Sequence, residues 1–159
     1  MLNRVSSCGL PNELQEKLHV FFEDLKSIGI SYLGHGVVNN KGNHTGYFSN
    51  GNWGDYYLNN RCFFNEPILQ NFEQSKANLI LWNSLKDSQS IARIRNQFIN
   101  LVSGLTLYRE EANYHTFFNI GFTTDVNLVD LCFYKRDVLL AYFNIFNNCH
   151  VSWRREKGC

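Results

Sequence analysis

The sequence predicts an α+β domain in which an antiparallel sheet of about five strands is sandwiched between helices. Two observations favour this class. Segments whose apolar residues recur every three or four positions, as on one face of a helix, are interleaved with short segments of strand character. Most of the short segments form pairs joined by a brief turn, which is typical of antiparallel hairpins. The length of 159 residues suits one domain over 1–159.

The first helix is predicted to follow Asn12, whose side chain is a suitable N-cap, and to end at Gly29. Between these residues the apolar side chains recur at helical spacing, so they form one stripe that can pack against a core. The members of this stripe are Leu14, Leu18, Phe21, Phe22, Leu25 and Ile28.

A hairpin is predicted next, with strands over 30–38 and 45–48 and a turn at 40–42. The turn contains Asn, Lys and Gly, which are favourable where the chain reverses. Within the first strand, Gly34 and Gly36 lack side chains that could pack. They indicate either a bulge or a close approach of another group to the backbone.

The middle of the chain is predicted to contain short elements. Two short helices are expected over 53–59 and 67–74, and a short apolar strand is expected within 78–84. A longer helix is predicted to begin at Ser88 and to end at Gly104. Its apolar face consists of Ile91, Ile94, Phe98, Leu101 and Val102.

The last third of the chain is predicted to form a second hairpin and a long helix. One strand begins at Leu105 and the other at Tyr114. The helix is expected to begin at Asp125 or Asn127. Its broad apolar face consists of Leu128, Leu131, Cys132, Leu139, Tyr142, Phe143 and Phe146.

Composition and charge argue against several classes of protein. Hydrophobic residues make up 44% of the chain and charged residues 18%, which is typical of a globular domain. A net charge of +1 gives no strong field for nucleic acid or for a membrane surface. The one basic cluster, Arg154, Arg155 and Lys157, is interpreted as a solvated tail.

No motif for catalysis, a metal or a cofactor is recognised in the sequence. The five histidines lack the H-x3-H and H-E-x-x-H spacings of metal sites, and the five cysteines contain no C-x-x-C pair. No apolar leader segment is visible. We therefore expect a cytoplasmic protein with reduced thiols that is not an enzyme and binds neither a metal nor a cofactor.

An aromatic-rich stretch with a lone acid follows the first hairpin. The residues concerned are Trp53, Tyr57, Phe63, Glu66 and, further on, Trp82. An indole N–H only donates hydrogen bonds, a phenol donates or accepts them, and an ionised carboxylate only accepts them. Set in apolar walls, such groups suit a molecule with a polar head and a hydrocarbon tail. The alternative is that these aromatic residues form an ordinary core and the acid is exposed at a helix start.

The spacing W-x3-Y-x8-E-P-x14-W, from Trp53 to Trp82, resembles the autoinducer-binding domain of LuxR-type quorum-sensing regulators. In that family the acid before the proline is usually Asp. The resemblance covers about residues 12–148, which would form the core of a single sensor-like domain. It implies a sandwich of the PAS or GAF type that holds a small molecule between its sheet and one helical layer.

Carried over residue by residue, the resemblance implies a ligand-binding role for each member of the pattern. Trp53 would donate to the lactone carbonyl of an acyl-homoserine lactone, and Glu66 would accept from its amide N–H. Tyr57 and Trp82 would pack against the lactone ring and the acyl chain. Phe63 is expected in the same wall of the pocket.

The sequence also departs from the family pattern. Ser49 stands where the family usually has a Tyr that helps to hold the acyl carbonyl, so its short hydroxyl would reach a ligand through a water molecule. LuxR-type regulators continue into a helix-turn-helix domain, and no such domain is recognised within 1–159. Direct contact of this chain with nucleic acid is therefore not expected.

The sequence thus predicts a sensor for an acyl-homoserine lactone or another acylated, amphipathic small molecule. Ligand binding would control dimerisation or transcriptional regulation, with a homodimer or heterodimer as the partner state and no contact with a membrane. The alternative is a protein–protein interaction module on the same fold without a ligand. An antagonist that forms a heterodimer with a full-length regulator would be an example.

Overall fold

A computed structural model of the chain describes residues 7–65, 78–82, 89–111 and 113–159. In these residues the strands form one sheet, of order β1-β3-β2-β6-β5-β4. The β1 strand pairs parallel with β3, and all other pairs are antiparallel. The strands are β1 Ser7–Gly9, β2 Tyr32–Asn39, β3 His44–Phe48, β4 Leu79–Leu81, β5 Ser103–Glu111 and β6 Tyr114–Phe122.

Helices accompany the sheet before, between and after its strands. They are α1 Asn12–Lys26, α2 Gly51–Asn59, a short 3-10 helix Cys62–Asn65, α3 Gln89–Arg95, α4 Leu128–Tyr134 and α5 Arg136–Glu156. The predicted α+β class with an antiparallel sheet between helices is confirmed. The parallel β1 at one edge is an addition that the sequence pattern did not indicate.

The two faces of the sheet are covered by different helices. Since successive side chains of a strand point to opposite faces, each strand contributes to both. Leu33, Tyr47 and Phe118 lie on the face that packs against α1 and α5, and we call it the α5 face. Tyr32 lies on the other face, which packs against α2 and α3 and is called the α2 face.

The start of α1 differs from the prediction. Asn12 is the first helical residue, and the N-cap is Pro11, in extended conformation at φ −61° and ψ 151°. The carbonyl of Pro11 accepts from the backbone N–H of Gln15, so the helix begins without a side-chain cap. The helix ends at Lys26, three residues before the predicted stop at Gly29, and the φ of +93° at Gly29 favours glycine where the chain turns away.

The helix predicted from Ser88 to Gly104 is shorter in the structure. It ends at Arg95, and Gly104 lies within β5, where it pairs with Gly121 of β6. The apolar periodicity continues past the true end, but pairing with β6 satisfies the backbone of 103–111 and overrides it. Ser88 and the predicted helix over 67–74 lie outside the described residues.

The long last helix is divided into α4 and α5 at Lys135, whose φ of −114° and ψ of 13° interrupt the helix. Of the two predicted starts, Asp125 and Asn127, the structure has Asn127 as the N-cap, and its side chain accepts from the backbone N–H of Asp130 at 3.1 Å. No helix of the described residues is long and apolar enough to cross a membrane.

The C-terminal basic cluster is solvated only in part. Arg155 and Lys157 are exposed, as predicted, but α5 carries Arg154 back onto the sheet. Arg154 is 0% exposed. Its guanidinium donates to the carbonyl oxygens of Val37 at 2.6 Å, Asn43 at 3.0 Å and Cys159 at 2.9 Å. Carbonyl acceptors at these distances compensate the burial of the charge.

A buried polar chain runs from Arg154 across the α5 face. Arg154 donates to the Thr45 hydroxyl, which lies 2.7 Å from His150 Nε2. His150 Nδ1 lies 2.9 Å from His35 Nδ1, and His35 Nε2 lies 2.7 Å from the amide oxygen of Asn147. One assignment of protons satisfies every link: each of Thr45, His150 and His35 donates to the next member, ending at Asn147. This assignment requires both imidazoles to be neutral.

Candidate ligand-binding site

Five glycines share the α2 face of the sheet. Directly opposite residues of an antiparallel pair lie on the same face. Tyr32 is opposite Gly121, which is opposite Gly104, and Gly36 is opposite Gly46. Without Cβ atoms these positions leave room above the backbone, and we call them the glycine floor. Its members are Gly34, Gly36, Gly46, Gly104 and Gly121.

Aromatic rings lie directly against the glycine floor. A Cβ atom on Gly104 would come within 2.2 Å of the Trp82 ring, and one on Gly34 would come within 2.7 Å of the Tyr32 hydroxyl. The close approach predicted for the first hairpin therefore occurs, with regular pairing of β2 on both sides instead of a bulge. The floor determines how deeply aromatic side chains sit on the sheet.

Helix α2 places two of the predicted site residues over this floor. Asn50 caps the helix by accepting from the backbone N–H of Trp53 at 2.9 Å. Trp53 and Tyr57, four residues apart, lie on the same buried side of α2. The indole Nε1 of Trp53 donates to the hydroxyl of Tyr32 at 3.2 Å, which fixes the indole against the sheet.

A small cavity remains between α2 and the glycine floor. Its volume is about 40 Å³, which is room for a few water molecules at most. Pockets that enclose drug-sized ligands usually have about 300–1,000 Å³. Predicted site residues Trp53, Tyr57 and Phe63 line the cavity. They are joined there by Tyr32, Gly34, His35, Gly36, His44, Phe48, Arg95, Phe117 and Asn119.

Trp82 lies beside the cavity and is held by a second polar chain. Its indole Nε1 donates to the Thr106 hydroxyl at 3.0 Å, and this hydroxyl donates to the amide oxygen of Asn119 at 2.6 Å. The Arg95 guanidinium carbon lies 4.2 Å from the centroid of the Trp82 ring. Trp82 thus contacts one cavity-lining residue, Arg95, directly and a second, Asn119, through Thr106, without lining the cavity itself.

The remaining two predicted site residues are placed differently. Ser49 does not line the cavity, and its Oγ accepts from the backbone N–H of Leu33 at 2.9 Å. Glu66, the predicted acceptor, lies outside the described residues. The structure therefore brings together Trp53, Tyr57 and Phe63 around one cavity, with Trp82 adjacent.

The sequence analysis missed several residues of the cavity wall. His44 stacks on Phe63 with ring centroids 4.3 Å apart and planes 6° apart. Burial, with Arg154 and His35 nearby, lowers the pKa of His44 to about 3, so its ring is neutral. In the sequence, the glycines at the alternate positions 34 and 36 after Tyr32 indicate that one side of this strand lacks Cβ atoms. No comparable signal points to Arg95.

The described residues contain no group of three or more His, Cys, Asp or Glu side chains that could hold a metal ion. The polar groups around the cavity are instead hydrogen-bond donors and acceptors set among aromatic rings. This arrangement suits the binding of a small molecule by shape and hydrogen bonding.

Comparison with solved structures shows the fold of the autoinducer-binding domains of LuxR-family quorum-sensing regulators. The predicted resemblance is thereby confirmed for the fold. Scans of protein-family models and of curated protein sequences return no match. Because the structural neighbours are at most 17% identical in sequence, they establish the fold alone.

One neighbour is SdiA of Escherichia coli, whose crystal structure matches with a TM-score of 0.62 and 17% identity over 84% of this chain and 60% of that chain. SdiA in complex with octanoyl-rac-glycerol matches with a TM-score of 0.58 and 17% identity over 85% and 58%. This chain thus spans about three fifths of the length of the SdiA chains that it matches.

Another neighbour is CepR2 of Burkholderia cenocepacia, an N-acylhomoserine lactone-dependent transcription factor of the LuxR family. It matches with a TM-score of 0.59 and 12% identity over 86% of this chain and 94% of that chain. The neighbours are receptor domains of quorum sensing, not enzymes.

Proposed function

We propose that this chain is a single ligand-sensing domain that binds a small amphipathic molecule between α2 and the glycine floor. The observation that carries this proposal is the convergence of Trp53, Tyr57 and Phe63 on one cavity above the glycine floor. The fold supports it, since SdiA has been solved with octanoyl-rac-glycerol and CepR2 depends on an N-acylhomoserine lactone.

Binding requires the cavity to enlarge, because about 40 Å³ does not hold an acyl chain. Phe48, Phe63 and Trp82 are only partly buried and pack around the buried cluster of Trp53 and Tyr57. Rotation of such rings away from the floor exposes the glycines, and the ligand takes the place of the rings. In this state the Trp53 indole exchanges its bond to Tyr32 for one to a ligand carbonyl.

The predicted polar roles complete the proposal. Glu66 accepts from an amide N–H of the ligand, Tyr57 and Trp82 pack against it, and Ser49 reaches it through a water molecule. Each well-formed buried hydrogen bond contributes about 0.5–1.5 kcal/mol.

Ligand binding is coupled to folding in this proposal. A ligand that binds only the folded form stabilises it by RT ln(1 + [L]/Kd), about 2.7 kcal/mol at a hundredfold excess over Kd. For a domain of this size that corresponds to a rise in Tm of about 5–10 °C. The stabilised domain then forms a homodimer or heterodimer and so controls a transcriptional regulator.

A thermal-shift series tests the sensor proposal. The chain is heated with acyl-homoserine lactones of increasing chain length and with octanoyl-glycerol, and at least one compound is expected to raise Tm in a saturable manner. Trp53→Phe, which removes the indole donor and keeps a ring, should reduce the rise, while Tyr134→Phe on the exposed surface of α4 should not. Absence of stabilisation by every compound would contradict the proposal.

A second candidate function is the protein–protein interaction module, which two observations favour. The cavity is small, and α4 exposes Val129 by 67%, Phe133 by 79% and Tyr134 by 75%. Exposed apolar groups on adjacent positions are typical of interaction surfaces. Light scattering of the chain alone and mixed with a full-length LuxR-type regulator tests this. A complex that Phe133→Ser abolishes, without any effect of acylated ligands, would favour the module.

A further inference from the structure

The guanidinium of Arg95 is a charged group of the candidate site for which the described residues provide no acceptor. It lies at the end of α3, lines the cavity and stacks above Trp82 with Cζ 4.2 Å from the ring centroid. Its Nε is inaccessible to water and has no hydrogen-bond partner. Among the described residues no carboxylate lies within ion-pair distance of it. A buried donor without an acceptor is costly and calls for an explanation.

Two other arginines, one partly and one fully buried, show which contacts Arg95 lacks. Arg109 lies 3.2 Å from the carboxylate of Glu111, and Arg154 donates to three backbone carbonyls. The protein thus supplies acceptors to the terminal nitrogens of both side chains, although Arg154 Nε, like Arg95 Nε, has no partner. Arg95 has the aromatic contact that orients a guanidinium but no acceptor among the described residues.

The stacking geometry determines where an acceptor would bind. A guanidinium directs its N–H donors in its own plane, so stacking on an indole leaves them available at the edge. The wall next to it also presents a donor, since Asn119 uses its amide oxygen to accept from Thr106 and retains its NH₂ group. This part of the cavity favours a ligand group that accepts hydrogen bonds and carries negative charge.

The rest of the cavity wall is aromatic. Phe48, Phe63 and Phe117 line it together with Trp53 and Tyr57. Rings of this kind bind the hydrocarbon part of a ligand. The Arg95 cation thus shares the cavity wall with several aromatic rings.

We propose that the ligand of this site is an amphipathic anion, a carboxylate on a hydrocarbon chain or ring, with Arg95 binding the carboxylate. The inference rests on the proposed sensor function and specifies its ligand class. It differs from the neutral lactone that the sequence resemblance implies, and it replaces the role proposed above for Glu66, because a fatty carboxylate has no N–H for that side chain to accept from. Asn119 donates to the same carboxylate, and the aromatic wall holds the tail.

The test compares ligands that share an eight-carbon acyl chain and differ in the head group. Octanoate is ionised at neutral pH, whereas octanoyl-glycerol and octanoyl-homoserine lactone are neutral. Calorimetric titration of the whole chain is expected to show octanoate binding about tenfold or more tighter than either neutral compound. Added salt should weaken only octanoate binding.

Two variants of Arg95 test whether this side chain causes the preference for octanoate. Arg95→Gln should weaken octanoate binding by about tenfold to a hundredfold and change the binding of neutral compounds little. Arg95→Lys keeps the charge and should retain part of the preference. The matched control is Arg93→Gln, which removes an exposed arginine of the same helix and should leave all affinities unchanged. Circular dichroism confirms that each variant is folded.

The outcomes separate the two proposals. If a neutral compound binds as tightly as octanoate, and Arg95→Gln leaves all affinities unchanged, the anionic ligand is refuted while the sensor function stands. If none of the three compounds binds to the folded wild-type chain, both proposals fail. Loss of octanoate binding in Arg93→Gln as well would assign the preference to general surface charge and also refute the role of Arg95.

Discussion

The two faces of the sheet differ in how their side chains are packed. The α5 face has fully buried side chains at its centre, among them Phe118, Phe143 and Phe146, and polar groups joined into a chain. At its edge an open groove of about 580 Å³ lies between β5 and α5. The α2 face has glycines at the sheet, partly buried rings above them and a residual cavity. Close packing around linked polar groups stabilises a fold, even though Asn147 Nδ2 and Arg154 Nε have no partner. Partly buried rings above glycines are held less tightly and can be displaced by a ligand.

The largest expected difference between the faces is in the cost of removing a ring. Phe118→Ala on the α5 face should lower the free energy of unfolding by about 3–5 kcal/mol, because the ring is fully buried between Phe143 and Phe146. Phe63→Ala on the α2 face should cost about 1 kcal/mol, because its ring is partly exposed. Urea unfolding measures both, and equal costs would contradict the comparison.

The polar chain of the α5 face should make stability depend on pH. Burial lowers the pKa of His35 from 6.5 to about 4, so the unfolded chain takes up this proton at higher pH than the folded chain. The contribution of neutral His35 to the free energy of unfolding is therefore fully present above about pH 6.5. It is lost as the pH falls towards 4, and the loss is about 3 kcal/mol for His35 alone.

Burial also lowers the pKa of His150, which adds to the loss in the same direction. Urea unfolding at a series of pH values across this window measures the effect. The control is His19→Gln, which replaces a half-exposed imidazole of α1 and should leave the loss in place. If the free energy of unfolding stays constant from neutral pH down to about pH 4, the pKa of His35 in the folded chain, these imidazoles are not held neutral.

The glycine floor can be tested by adding single methyl groups. Gly104→Ala should destabilise the chain by about 1–3 kcal/mol, since the new Cβ would lie 2.2 Å from the Trp82 ring. Gly51→Ala at the start of α2 meets nothing within 4 Å and should be neutral or slightly stabilising. Thermal unfolding compares the two. A neutral Gly104→Ala would mean that the ring moves freely from the floor.

The smallest expected effect concerns the hydroxyl that receives the Trp53 indole. Tyr32→Phe removes the acceptor and should cost about 1 kcal/mol, with a change in tryptophan fluorescence. Tyr134→Phe, on an exposed ring of α4, is the control and should change neither. An unchanged stability and spectrum for Tyr32→Phe would show that the indole is not fixed by this bond.

Local patterns predicted elements that depend on local physics. The spacing of apolar residues located α1, α2 and both hairpins. Asn127 was one of two predicted starts of the last helix, because a side-chain acceptor three residues before a free N–H suffices as a cap. The end of α3 was predicted wrongly, since apolar periodicity does not stop where strand pairing begins. The burial of Arg154 was missed, because two of its three carbonyl acceptors lie more than a hundred residues away in the sequence.

The candidate site was predicted in part for the same reason. Trp53 and Tyr57 share one side of a helix, a relation fixed by their spacing in the sequence. Arg95 and Asn119 gave no signal, because each belongs to the site only through the packing of α3 and the pairing of β6. A contact between elements distant in sequence leaves no regular spacing to detect.

The sequence by itself determined the fold class, the order of most elements and the aromatic character of the site, because periodicity and composition act over a few neighbouring residues. Only the tertiary structure decided that five glycines lie on one face, that three histidines are buried and neutral, and that Arg95 stands over Trp82. Burial and charge environment are properties of the packed chain, and they arise from contacts that no local pattern specifies.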